Sequence, residues 1–380
     1  MSIVYKRGHI GSLDGIRGIA ILLVLCFHCF EKINLYPLSF ITQIGWVGVD
    51  LFFVQSGFLI TGILDDTQGN DNYLKSFSLK RTLRIFPLYY LTLLIVFAVL
   101  TIPGIINFDP VWDPRHLETS IYYLTFTQNL LFSFNHWGVT DLLNHFWSLA
   151  IEEQFYMFWP FVVFYLNTSK LLMVCLLLIA IGLITRNSNA ESDFSYVFTL
   201  SRVDALGIGS MLAIVIRKNS QLLERVVLPV FLTTLIALFV ILFNSSDLGF
   251  RNPYFIRIGF TLFAILFASV IAFVYDTKRI GAYTNRILSS GALRFFGTYS
   301  YGIYIYHWIL YKGVYSPLRN RYMFSKAYII LFIIIVVIIS VISFHTFEKY
   351  FLNLRARFMA DAQPKQLDLV EVTSNTTGNI

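Results

Sequence analysis

Residues 13–30 read LDGIRGIAILLVLCFHCF. An arginine opens the run, apolar side chains fill it, and a histidine stands far inside. About 20 consecutive apolar residues are what an α-helix needs to cross the hydrocarbon of a bilayer. The stretch is therefore read as a membrane-spanning helix, with His28 at a depth where only hydrocarbon is expected. Arg17 and His28 are eleven residues apart, which at about 100° per residue returns to nearly the same helix face after a rise of about 16 Å. One face thus joins a cation at the cytoplasmic boundary to an imidazole beyond the bilayer middle.

The rest of the chain agrees with that first helix. Of its 380 residues, 56 % are hydrophobic and only 13 % charged, against roughly a quarter charged in a soluble domain. Mean hydropathy is +0.66. The formal charge of +7 is scattered in short clusters between apolar segments, as membrane topology requires, and argues against a nucleic-acid partner. The basic start precedes no small-residue cleavage site, so the first helix is expected to be retained. Cys26, Cys29 and Cys175 lie in apolar runs; they fit buried thiols, with neither a disulfide framework nor metal-ligand spacing.

Ten spans are expected, near 14–31, 43–64, 85–105, 145–166, 170–186, 201–217, 225–243, 256–275, 295–314 and 326–347. The sixth is the weakest, because Arg202 and Asp204 stand at its entrance. SIYYLTFTQNLLFSF (120–134) is too short and polar to span and reads as a re-entrant or interfacial helix. With the N-terminus inside, one side of the membrane receives 19 Lys and Arg and the other 10, and the richer side is the cytoplasm. The fold class is all-α, a multi-pass protein of the cytoplasmic membrane with both termini cytoplasmic. Residues 1–357 form the transmembrane domain, and the polar tail 358–380 is expected to be disordered. The external loop 106–144 carries Asp109, Trp112, Asp113, His116, Glu118, His136 and Trp137, which suit sugar rings and the membrane interface equally.

Ionisable groups cost about 2.5 kcal/mol or more each at the centre of a membrane helix, so several of them imply a shared polar cavity. The second span holds Asp50, Gln55 and Ser56; the fourth His145, Glu152 and Glu153; the sixth Arg202 and Asp204; the ninth His307. His28, Asp50, one of Glu152 and Glu153, and His307 are expected to converge on one cavity in the outer half. Asp50 suits a loop-positioning role as well as chemistry, and His307 suits a helix-to-helix bond as well as a substrate contact. His145, Arg202, Asp204 and His307 are candidates for acceptor contacts. On the inner side, LKRTLRIFPLYY sets Arg81 and Arg84 one helical turn apart. They are either anchors of the positive-inside kind or a phosphate clamp, since guanidinium groups grip phosphate in bidentate fashion.

In order, the chain reads LDGIRGIAILLVLCFH, GVDLFFVQSGFLITGIL, RTLRIFPLYY, FWSLAIEEQFYMFWP, RVDALGIGSMLA, GTYSYGIYIYH and FEKY. Together these resemble the acyltransferase-3 family of integral-membrane acyltransferases, over about Ser12 to Phe351. The resemblance implies transfer of an acyl group, usually acetyl, from cytoplasmic acyl-CoA to a hydroxyl at or beyond the membrane. Acyl-CoA is then a donor substrate, and neither a permanently bound cofactor nor a metal is implied. His28 matches the family's catalytic histidine; Arg17, Arg81 and Arg84 match positions linked to donor handling, and Glu348 matches a glutamate near the inner end of the last helix. Among acceptors, lipopolysaccharide O-antigen comes first, with capsule, peptidoglycan, glucans and secreted glycolipids behind; membrane lipids are the surrounding partners. Some family members carry a further hydrolase-like domain. Here 23 residues follow Arg357 without a Gly-Asp-Ser motif, so the membrane part is expected to act alone.

A carboxylate, Asp50, Glu152 or Glu153, is expected to orient His28 as the general base for direct attack by the acceptor. A two-step route through an acyl-histidine uses the same ring. A transporter would also carry intramembrane His, Asp and Glu, but the chain has no inverted repeat of the kind transporters show.

Overall fold

The computed structural model describes residues 10–30, 39–69, 72–101, 115–135, 141–189, 193–245, 247–275, 279–322 and 328–360. Asp109, Trp112, Asp113, His136 and Trp137 lie outside these, as do residues 361–380. All regular elements among the described residues are helical, as expected where hydrocarbon leaves each backbone group to be satisfied within its own segment. The first half runs α1 (Gly11–Phe30), α2 (Ser39–Ile44), α3 (Val47–Thr67), α4 (Tyr73–Thr101), α5 (Arg115–Leu124), α6 (Gln128–Asn135) and α7 (Trp147–Tyr165), the last led in by a 3-10 turn, Asp141–Phe146. Next come α8 (Thr168–Ser188), α9 (Asp193–Val197), α10 (Thr199–Lys218), α11 (Ser220–Asn244) and α12 (Phe260–Tyr275), which a π-turn at Phe255–Gly259 precedes. The chain closes with α13 (Arg279–Leu288), α14 (Gly291–Thr298), α15 (Ser300–Leu310), α16 (Ser316–Tyr322), α17 (Tyr328–Ser343) and α18 (Lys349–Ala360). Further π-turns, Tyr311–Tyr315 and Phe344–Glu348, follow α15 and α17.

Eight described helices are long and apolar enough to cross a membrane. The two other expected spans, 145–166 and 295–314, are also helical but more polar or more interrupted: α7 carries Glu152 and Glu153, and α15 gives way to a π-turn. The stretch 120–134 folds as the end of α5, a reversal at Phe126 and α6. Its amides are buried and donate to neighbouring segments. Gln128 donates to the Phe146 carbonyl at 2.8 Å, and Asn129 donates to Thr199 Oγ1 at 2.8 Å. Asn167 and Asn219 start α8 and α11 by accepting the Lys170 and Leu222 amides at 3.0 and 3.1 Å.

α3 and α10 form the centre, each with 78 % of its apolar span buried, against 17 % for α8 and α11. The outer helices turn Leu176, Ile184, Phe239 and Phe243 outward, which in a bilayer face lipid. Small residues bring the central backbones together, as membrane interfaces favour. A Cβ on Gly57 would stand 2.1 Å from the Leu206 carbonyl oxygen, and one on Gly209 2.0 Å from that of Val54. The same device seats α1 against α13 and α14: a Cβ on Gly15 would meet the Leu288 oxygen at 1.8 Å, and one on Gly297 the Asp14 oxygen at 1.8 Å.

The sixth expected span is one of the most buried, because its charges are paired inside the bundle. Arg186 on α8 grips Asp204 on α10 with two parallel bonds of 2.9 and 2.8 Å. It also donates to the carbonyls of Ile256 (2.8 Å) and Ser201, and to Thr261 Oγ1 at 2.5 Å. Thr261 in turn donates to Asp204 at 2.6 Å. Four elements are thereby bolted together. Removing one partner of a buried pair strands the other charge and costs about 3–5 kcal/mol. Arg186→Ala is expected to lose that much in denaturant unfolding in detergent, whereas Lys218→Ala, at the surface, changes stability by about 0.5 kcal/mol or less.

Candidate active site

His28, in the last turns of α1, meets His307 of α15. Their Nδ1 and Nε2 atoms are 2.9 Å apart, and the rings are near-parallel with centroids at 5.1 Å. The other nitrogen of His307, Nδ1, faces the carbonyl oxygens of Tyr304 at 2.7 Å and Ile303 at 3.1 Å. Carbonyls only accept, so Nδ1 of His307 carries the hydrogen. In a neutral ring Nε2 is then a bare acceptor, and His28 Nδ1–H must donate to it. This leaves Nε2 of His28 as an unprotonated nitrogen, the atom a general base needs. The partner sequence reasoning expected for His28 was a carboxylate; a second histidine stands there instead, because the carboxylates are committed elsewhere.

His28 opens on a cavity of about 350 Å³ whose walls include Phe27, Trp46, His145, Trp147, Tyr304 and Trp308. That volume is within the range of sites that enclose a small-molecule ligand, roughly 300–1,000 Å³. Trp308 lies 4.6 Å from the His28 ring, its indole N–H fixed to the Asp141 carbonyl at 2.7 Å. Lys312, paired with Asp141 at 3.2 Å, and Arg251, paired with Asp193 at 2.7 Å, stand at the same cavity. His145 turns its Nε2 to the Ile305 carbonyl at 3.2 Å, while its buried Nδ1 has no hydrogen-bond partner among the described residues. Aromatic faces with polar edges are what a sugar ring offers contacts to. Among the described residues no group of three His, Cys, Asp or Glu is placed to hold a metal.

A second cavity, about 90 Å³, lies on the other side of Tyr304. Arg17, Arg81, Arg84, Ser56, Glu152 and Tyr156 are among its walls. It is far below the volume that encloses a whole ligand and suits a slender chain whose charged end stays among the arginines. Arg81 lies 5.2 Å from the Tyr156 ring centroid. Glu152 accepts from Ser56 at 3.0 Å and from Tyr156 at 2.9 Å. Arg17 is held 3.6 Å from Asp14 by their spacing on α1. Glu348 sits in the π-turn after α17, accepting from Ser343 at 3.3 Å and within electrostatic reach of Arg84.

The expected single outer cavity is thus two. His28, His307 and His145 come together at one cavity; Arg17, Arg81, Arg84 and Glu152 come together at the other. Glu152 lies about two turns along the chain from His145 and lines the cavity of Arg17, not that of His28. Glu153, one residue on, faces a lateral cavity with Phe77, Phe86 and Thr125. Asp50 is paired with Arg202, because a guanidinium buried to this degree needs a counter-charge within reach. That pair lies behind the aromatic wall, with the Arg202 guanidinium 4.1 Å from the Phe260 centroid and 5.3 Å from Tyr196. Asp204 is committed to Arg186. Asp50, Arg202 and Asp204 therefore brace the outer cavity from behind and do not reach into it. Sequence reasoning passed over Tyr304, Ser148, Trp308 and Lys312; the i, i+4, i+8 spacing of Tyr304 and Trp308 on α15 and Lys312 in the π-turn after it was the available signal.

Comparison with known proteins agrees with these motifs. The acyltransferase domain of the acyltransferase-3 family matches residues 10–345. YrhL of Bacillus subtilis (strain 168), whose name assigns it provisionally as a peptidoglycan O-acetyltransferase, is 31 % identical over 371 residues, covering 90 % of this chain and 54 % of its own. The peptidoglycan O-acetyltransferase OatA of Listeria monocytogenes (strain EGD-e) is 30 % identical over 334 residues, 80 % of this chain and 50 % of its own. The chain spans about half the length of the curated relatives it matches. No solved structure matches it. With the family's domain matching nearly its whole length, this multi-pass membrane chain belongs to the acyltransferase-3 family.

Proposed function

We propose that the chain is a membrane O-acyltransferase that moves an acyl group, acetyl first among candidates, from cytoplasmic acyl-CoA to a hydroxyl of a cell-surface carbohydrate. The observation that carries this reading is the pair of abutting cavities, one walled by three arginines and the other by a histidine with a free basic nitrogen. The arginines suit the phosphates of CoA, gripped in bidentate, charge-assisted fashion. The narrow inner cavity suits the pantetheine arm, and the aromatic outer cavity suits a sugar. The lysine and arginine bias supports the arginine side as the cytoplasm and the inner membrane as the location. The names of the relatives move peptidoglycan ahead of O-antigen as the acceptor.

In this mechanism Nε2 of His28 takes the proton of the acceptor hydroxyl as its oxygen attacks the thioester carbonyl. A C–O bond forms, the C–S bond breaks, and the imidazolium returns its proton to the departing thiolate. His307 holds the His28 ring by accepting from Nδ1–H, an arrangement that strengthens as the ring becomes positive. Direct attack is preferred to an acyl-histidine because His28 lines the acceptor cavity, so base and acceptor share one space.

The first test compares O-acetyl esters on the surface glycan, by mass spectrometry, in cells expressing wild type or His28→Ala at matched membrane abundance. Loss of about 100-fold or more is expected, in line with the 10²–10⁴ that a general base contributes. Equal acetylation would refute the role of His28. Arg81→Ala and Arg84→Ala are expected to raise the KM for acyl-CoA about ten-fold with a smaller change in kcat, the signature of lost ground-state binding. The tautomers are testable without activity. Nitrogen-15 NMR of histidine-labelled protein should find both His28 and His307 protonated at Nδ1, and His307→Ala should release His28 from that state.

A further inference from the structure

The two cavities do not merge; they share walls at Val49 and Tyr304. Tyr304 is almost wholly buried on α15, and its hydroxyl is tied to one neighbouring segment. Its hydroxyl donates to the His145 carbonyl at 2.6 Å, so the 2.5 Å contact with Ser148 Oγ must be a bond that Ser148 donates. Both anchors come from the 3-10 turn and start of α7, so the ring spans the gap between α15 and that neighbour. One helical turn further on stands His307, whose Nδ1 is bonded to the Tyr304 carbonyl. The barrier and the partner of the base are therefore one local unit. Tyr304 thus stands in the wall between the cavity of the arginines and the cavity of His28.

We propose that Tyr304 is the partition residue of the site: its ring seals the donor cavity from the acceptor cavity and yields only to the acyl-bearing arm. The consequence for chemistry rests on the acyltransfer reading. An unsealed site would let water from the outer cavity add to the thioester carbonyl, with C–S cleavage releasing CoA thiol and the free carboxylic acid. Tyr304 is thus a positioning residue that excludes water. Ser148 and the His145 carbonyl set its rotamer.

The test uses the full chain in membrane vesicles, with Cys26→Ala, Cys29→Ala and Cys175→Ala removing native thiols. Reporter cysteines go on either side, Ser56→Cys in the inner cavity and Asn144→Cys in the outer. A membrane-impermeant methanethiosulfonate is added to right-side-out or inside-out vesicles. With Tyr304 intact, Ser56→Cys should label only from the Arg81 face and Asn144→Cys only from the opposite face; labelling of either from both faces overturns the proposal. Tyr304→Leu should speed labelling of Asn144→Cys from the Arg81 face at least ten-fold. Tyr304→Phe, which keeps the ring, should leave it unchanged. No rise with leucine, or an equal rise with phenylalanine, also overturns it. If the leucine variant does not reach the membrane, the two reporters with Tyr304 intact decide. Acyl-CoA hydrolysis without acceptor should rise ten-fold in Tyr304→Leu. One-sided labelling with no acyl-CoA turnover in any form would refute the donor reading and leave the partition standing.

Discussion

The Arg186–Asp204 pair sits where an apolar bundle can least tolerate charge, and the arrangement of the central helices follows from neutralising it. Neither group is able to reach water, so each must find its partners inside, and those partners come from α8, α10, α12 and the π-turn before α12. The Arg202–Asp50 pair ties α10 to α3 through a single bond, with Arg202 Nε and Nη1 set among aromatic rings and, like Asp50 Oδ2, without a hydrogen-bond partner among the described residues. Because the pairs are buried, losing either partner is far more costly than the pair is stabilising. They fix which helices are neighbours. Gly57 and Gly209 then allow α3 and α10 to approach until backbone touches backbone.

On that frame α15 acts as the spine of the candidate site. Tyr301 lines the inner cavity, with its hydroxyl bonded to the Ile85 carbonyl at 2.7 Å. Tyr304 stands between the cavities, and Trp308 and Lys312 line the outer one. These positions recur at three and four residues, so one stripe along α15 and the π-turn after it runs from the arginine cluster to the cavity of His28. A site laid along a helix axis has a definite direction. The chemistry proposed here needs one, since donor and acceptor approach from opposite faces of the membrane.

Much of this was legible in the sequence, for a simple reason: an ionisable residue in an apolar run is conspicuous, and its depth follows from helical rise. Arg17 and His28 could be placed on one face and at two depths from LDGIRGIAILLVLCFHCF alone. Pairings were not legible. Asp50 and Arg202 are 152 residues apart in sequence, and only the packing of α3 on α10 makes them partners, which is why both read as site residues. The choice between Glu152 and Glu153 depends on helix rotation, to which a two-residue motif is blind. Tyr304 was hidden by its company, since Tyr299, Tyr301 and Tyr306 flank it and nothing but the shared wall distinguishes it. The polar entrance of α10 lowered its standing as a span because a hydropathy reading counts charges without seeing their partners.

The closed bonding of the histidine pair has an electrical consequence. Nδ1 of His307 is tied to carbonyls of its own helix, so that end of the pair is closed to onward proton transfer. In the proposed reaction the hydrogen that leaves the acceptor hydroxyl ends on the CoA thiol, which departs to the cytoplasm as the acyl group stays outside. Each turnover then exchanges one neutral group for another across the bilayer. A transmembrane potential works on net charge moved, about 2.3 kcal/mol per elementary charge per 100 mV. An electroneutral exchange gives it nothing to act on, and the thioester bond alone drives the transfer.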